Sequence, residues 1–82
     1  MNEQDLLEKL TAVFRDVFDL PDLNLALATT AEDVAEWDSV NHIMLVVEIE
    51  RQWGVKFQTA EIEEMKNVGD LVILIKTKLA QR

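Results

Sequence analysis

Three stretches of this 82-residue chain repeat apolar residues at steps of three and four, which is the period of a helix with one buried face. In the first, Leu6, Leu7, Leu10, Val13, Phe14, Val17 and Phe18 alternate with Glu8, Lys9, Thr11 and Arg15. That helix should stop near Phe18, because Pro21 biases Leu20 to extended backbone and offers no N–H. The second stretch runs from Ser39 to Trp53, about 22 Å of helix, with Gly54 just past its end. In the third, Asn67 caps a helix with Val68, Leu71, Val72, Ile75 and Leu79 on one face, and Lys76, Lys78 and Arg82 suit its negative C-terminal end. Between the last two, Val55 and Phe57 return along the core and Thr59 should cap a short helix through Met65. The expected fold is all-α: a small four-helix bundle, one domain over residues 1–82, with a short third helix and a long loop between the first and second helices.

Cysteine is absent and His42 is the single histidine, so neither a disulfide nor a structural zinc site is available. A domain this small buries only about 60% of the surface its unfolded chain exposes. Apolar packing must therefore hold it, and hydrophobic residues make up 49% of the chain.

Residues 19–38 carry no long period, and a connection of that length in so small a domain points to function. Leu20, Leu23, Leu25 and Leu27 are expected to pin it to the core. Thr30 and Asp33 resemble a capping pair for a single helical turn over residues 31–36. Trp37 is read as a plug at the end of the bundle, because burial rewards so large a ring.

Net charge is −8, and residues 1–38 hold all of it, with ten acids against Lys9 and Arg15. Residues 39–82 balance six acids with six bases. Nucleic acid is excluded as a partner for want of a basic face. Basic protein surfaces are the natural complement. No apolar run reaches the ~20 residues that span a bilayer, and the N-terminus is acidic where a secretory signal is basic. A cytoplasmic monomer without a membrane span is expected.

Ser39, in Glu36-Trp37-Asp38-Ser39-Val40, puts a hydroxyl at a helix start. It has three readings: a cap, a nucleophile, or the acceptor of a phosphate-linked group. The nucleophile reading is poor. His42 lies three residues on, yet no Gly-rich elbow or oxyanion loop accompanies the pair. Two glycines cannot build a phosphate-cradling loop, and no calcium-loop pattern occurs.

Asp38-Ser39-Val40, followed by Ile43, Leu45, Val46, Ile49, Glu50, Trp53, Gly54, Val55 and Phe57, resembles the attachment segment of acyl carrier proteins. Ile62, Val68 and Leu71 continue the likeness over essentially the whole chain. The resemblance implies a non-catalytic carrier whose Ser39 accepts phosphopantetheine from coenzyme A through a phosphopantetheinyl transferase. The thiol of that arm would hold acyl groups as thioesters for fatty-acid, polyketide or related assembly. Asp38 would then serve as cap and in transferase recognition.

The likeness has departures. Family members often carry leucine after the serine and several acids along the next helix, whereas residues 39–53 here sum to −1. Glu32, Asp33 and Glu36, together with Asp38, are therefore expected to meet basic docking surfaces of acyl-loading, synthase or acyltransferase enzymes. Val40, Ile43, Met44 and Val47 would supply the apolar contact. For Met44 and Val47 ordinary core packing is as good a reading. A peptidyl carrier ranks second, since its Gly-Gly-x-Ser segment is missing. An unmodified helical interaction domain is the remaining alternative.

Overall fold

A computed structural model describes residues 2–81. It contains four helices in the expected order: α1 (Glu3–Phe18), α2 (Ser39–Trp53), α3 (Thr59–Glu64) and α4 (Val68–Ala80). α1 packs against both α2 and α4. The core lies between these three. Leu6, Leu10 and Phe14 of α1, Leu45 and Ile49 of α2, and Val68, Leu71, Val72 and Ile75 of α4 are fully buried.

Each long helix begins on a side-chain cap. Asn2 Oδ1 accepts the Asp5 N–H (2.8 Å), Asp38 Oδ1 accepts the Asn41 N–H (2.9 Å), and Asn67 Oδ1 accepts the Asp70 N–H (2.8 Å). The ends follow the left-handed rule. Gly54 takes φ 66° after α2, and Asp19 takes φ 56° after α1. Asp19 and Leu20 both donate to the Arg15 carbonyl, so the turn before Pro21 is closed by backbone bonds as well as by the proline.

The long loop is tied down at three places. Arg15 Nε donates to the Leu23 carbonyl (2.6 Å), and its Nη2 donates to Asn24 Oδ1 (3.1 Å). Leu20, Leu23 and Leu25 are half-buried against the core, and Val34 and Trp37 are buried in it. Further along, the carbonyls of Thr29 and Leu27 accept the N–H groups of Val68 (2.9 Å) and Gly69 (2.7 Å), two of the donors that a helix start leaves unpaired. Gly69 permits this approach, because a Cβ there would sit 3.1 Å from the Leu27 oxygen. Leu27 departs from expectation: its side chain is 42% exposed, and its carbonyl does the pinning.

Two other expectations are corrected. Residues 31–36 form successive turns, closed by Asp33 N–H to Thr30 O and Trp37 N–H to Val34 O (3.0 Å each), and not a helical turn. The Asp33 carboxylate folds back on the Thr30 N–H (3.0 Å), which satisfies the pair within one tight turn. Thr59 is the first residue of α3 and Gln58 its cap, because Glu61 reaches back to the Gln58 N–H (2.8 Å) and fixes the start one residue earlier. α3 buries no residue and is held by half-buried Ile62 and by a Glu61–Lys78 ion pair (2.9 Å). The basic end proposed for α4 includes Lys78, while Arg82 lies outside the described residues.

Candidate functional site

Ser39 is the sole serine of the chain and the first residue of α2. It is exposed, and it is not the cap. Asp38 fills that position in extended backbone (φ −98°, ψ −177°), with its carboxylate on the Asn41 N–H and its carbonyl accepting the His42 N–H (2.8 Å). The hydroxyl of Ser39 is thus left to face solvent at the positive end of the helix, where the first N–H groups of α2 have no partner within the helix.

The segment before Ser39 is clamped from both sides. Asn41 Nδ2 donates to the Glu36 carbonyl (2.7 Å), which also accepts the Asp38 N–H (3.0 Å). Trp37 is buried as a plug, its ring edge-on to Phe14 with centroids 5.1 Å apart at 89°. Phe18 lies beside it at 6.4 Å. The indole N–H donates to His42 Nδ1 (2.8 Å). His42 is half-buried and supplies the one acceptor that the indole needs. Sequence reading did not find this role, which depends on how Trp37 is buried.

The acids divide. Glu32, Asp33, Glu36 and Asp38 are all exposed within seven residues ahead of or at the cap. Asp33 also binds the Thr30 hydroxyl (3.3 Å) and Asp38 caps α2, so both are held by local bonds. Among the described residues the carboxylates of Glu32 and Glu36 make no hydrogen bond or ion pair.

Beyond Ser39 the apolar stripe stands open. Val40, Ile43, Met44 and Val47 are 69%, 58%, 52% and 57% exposed, whereas Leu45, Val46, Ile49 and Trp53 of the same helix are buried. Core packing is therefore excluded for Met44 and Val47. Ile43, Met44 and Val47 line a groove with Val17 of α1, bordered by Glu48 and Arg51. On the other side of Ser39, an open recess of about 260 Å³ separates the start of α2 from α3, lined by Trp37, Asp38, Ser39, His42, Ile62, Glu63, Met65 and Lys66, with Ala31 of the loop. A larger groove between α3 and α4 does not include Ser39.

A model of the family described as phosphopantetheine attachment site matches residues 8–75, a span that includes all of these features. The acyl carrier protein of Thermosynechococcus vestitus is 32% identical over 81 residues, covering 98% of this chain and 99% of its own. The acyl carrier protein homolog of Mycoplasma genitalium is 32% identical over 62 residues, 73% of this chain and 74% of its own. The solution structure of holo acyl carrier protein from Geobacter metallireducens is similar at TM-score 0.86 and 43% identity, covering 92% of this chain and 86% of that one. The crystal structure of acyl carrier protein from Thermotoga maritima, 21% identical, shares the fold at TM-score 0.88 over 99% of this chain and 94% of that one. No described helix is long and apolar enough to cross a membrane. With its helix order, its length and its match over residues 8–75 in agreement, the chain belongs to the acyl carrier protein family, whose members are carriers bearing covalently attached phosphopantetheine, and not enzymes.

Proposed function

We propose that Ser39 is the attachment residue, and that the loaded chain carries acyl intermediates between enzymes of fatty-acid, polyketide or related assembly in the cytoplasm. The observation that carries this reading is the separation of duties at the start of α2: Asp38 caps the helix, which leaves the Ser39 hydroxyl exposed with no structural task of its own. Its surroundings also fit the group. A phosphodiester on Ser39 Oγ meets the positive end of α2, a preference worth about 0.3–1 kcal/mol at an exposed site. The arm supplies a terminal thiol that holds the acyl group as a thioester, which the chain, having no cysteine, does not supply itself.

Transfer from coenzyme A forms one bond, from Ser39 Oγ to the phosphorus of the pantetheine side, and breaks the phosphoanhydride, with adenosine 3′,5′-bisphosphate as the leaving group. The hydroxyl proton goes to a base of the transferase, since the one histidine near Ser39 has its Nδ1 lone pair engaged by Trp37. Docking divides between charge and apolar contact. Glu32 and Glu36, whose carboxylates are uncommitted, meet basic residues of the transferase and of the loading and synthase enzymes. Val40, Ile43, Met44 and Val47 bury against the same partners.

Incubation of the chain with coenzyme A and a broad-specificity phosphopantetheinyl transferase, followed by intact mass measurement, tests the attachment. The wild type gains one phosphopantetheine, and Ser39→Ala gains nothing. A gain that survives Ser39→Ala would place the group elsewhere.

A further inference from the structure

Trp37 and His42 together do something that neither capping nor docking requires. An indole N–H has only a hydrogen to give, so the His42 Nδ1 that it meets at 2.8 Å must present a lone pair. The proton of the neutral ring is therefore on Nε2. Trp37 is itself fixed, buried against Phe14 and Phe18, so the tautomer is held by a rigid partner. His42 lies three residues after Ser39 on α2, a spacing that puts the two Cβ atoms about 5–6 Å apart on one face. Both line the recess between α2 and α3.

We propose that His42 is a pre-set hydrogen-bond donor, through Nε2–H, to the phosphodiester on Ser39. The inference depends on Ser39 being the attachment residue. Phosphorus bonded to Ser39 Oγ lies within reach of the imidazole one turn along, and a donor to a charged oxygen makes a hydrogen bond roughly twice as strong as a neutral one. Lys66 on the far wall adds a cation to the same space. Asp38 and Glu63 also line it and repel a phosphate, which steers the phosphate toward His42 and Lys66.

The test uses the full chain labelled with nitrogen-15, before and after loading from coenzyme A, with intact mass confirming the load. Long-range proton–nitrogen spectra should show His42 as the Nε2–H tautomer before loading. After loading, its Nε2 proton should move downfield and exchange with water several-fold more slowly. The phosphorus-31 resonance of loaded His42→Phe should differ from that of the loaded wild type. A mass gain with an unchanged His42 spectrum overturns the inference and leaves the attachment standing. An Nδ1–H tautomer in the unloaded chain overturns it as well. Absence of any mass gain overturns both.

Discussion

At the scale of single residues, Asp38 and Ser39 share a helix start and have opposite duties, which makes them separable by substitution. Asp38→Ala removes the acceptor of the Asn41 N–H and should cost about 0.5–2 kcal/mol. For a domain of this size each kcal/mol lowers the melting temperature by roughly 4–8 °C. Asp38→Asn keeps a side-chain oxygen in place, and asparagine caps as well as aspartate. The asparagine variant should therefore melt close to the wild type yet be loaded more slowly, because the charge that faces a basic transferase is gone. Equal melting temperatures for the alanine and asparagine variants would remove the capping role. Equal loading rates for asparagine and wild type would remove the recognition role. The Asp-Ser pair was legible in the sequence because capping chemistry is local, reaching only three residues along the chain. The bond from Trp37 to His42 was not, since it depends on a ring whose direction is set by Phe14 and Phe18 of another element.

At the scale of elements, the three long helices were legible because each carries an apolar period that agrees with a local signal at one end or both: Pro21 after α1, Asp38 and Gly54 about α2, and Asn67 before α4. The short third helix was legible in its place and length, but its cap and the turns of residues 31–36 were not, since there propensity is weak and single hydrogen bonds decide the boundary. Glu61 is the clearest case. Its carboxylate accepts the Gln58 N–H and pairs with Lys78 of α4, so it both starts α3 and fastens it. The Gln58 backbone bond first, and the Lys78 ammonium after it, hold the Glu61 carboxyl below the usual carboxylate range. A carboxyl that ionises more readily in the fold than in the unfolded chain stabilises the fold fully above its unfolded value. That contribution is lost as pH falls through the folded value. Glu61→Gln should accordingly melt below the wild type at neutral pH, and the gap should close progressively on acidification. Thermal melts of the two proteins across the acid range check this, and a gap that stays constant or widens in acid contradicts it. The consequence extends to the site, because α3 forms one wall of the recess beside Ser39 and buries no residue of its own. An element so lightly held opens at lower cost than the α1–α2–α4 core.

At the scale of the whole molecule, the charge segregation seen in the sequence becomes a surface property. All ten acids of residues 1–38 are exposed. Of the three ion pairs among the described residues, only Lys76–Glu3, at 3.9 Å, involves one of them. Arg15 gives its guanidinium to the Leu23 carbonyl and to Asn24, both neutral. The folded chain measures 32 × 26 × 21 Å along its principal axes. Screening acts over about 30 Å at 0.01 M salt and about 10 Å at 0.1 M, so in dilute buffer the acids repel one another across the entire molecule and in moderate salt only as near neighbours. Unfolding moves them apart, which means that the repulsion destabilises the compact state and that salt should relieve it. The melting temperature is expected to rise as sodium chloride is raised from 0.01 to 0.2 M, before any other effect of salt takes over. Glu32→Gln with Glu36→Gln removes two carboxylates that make no local bond, whereas Asp33 and Asp38 would be poor choices because each also holds its turn or cap together. The double variant should melt above the wild type at low salt, gain less from added salt, and converge with it at high salt. The same variant should be loaded more slowly by the transferase at low salt, with that deficit also shrinking as salt screens the wild type. Greater stability with weaker recognition is the signature of acids kept for a partner at the expense of the fold. A melting temperature that falls steadily with salt would refute the electrostatic account. A double variant loaded as fast as the wild type at every salt concentration would detach these acids from docking.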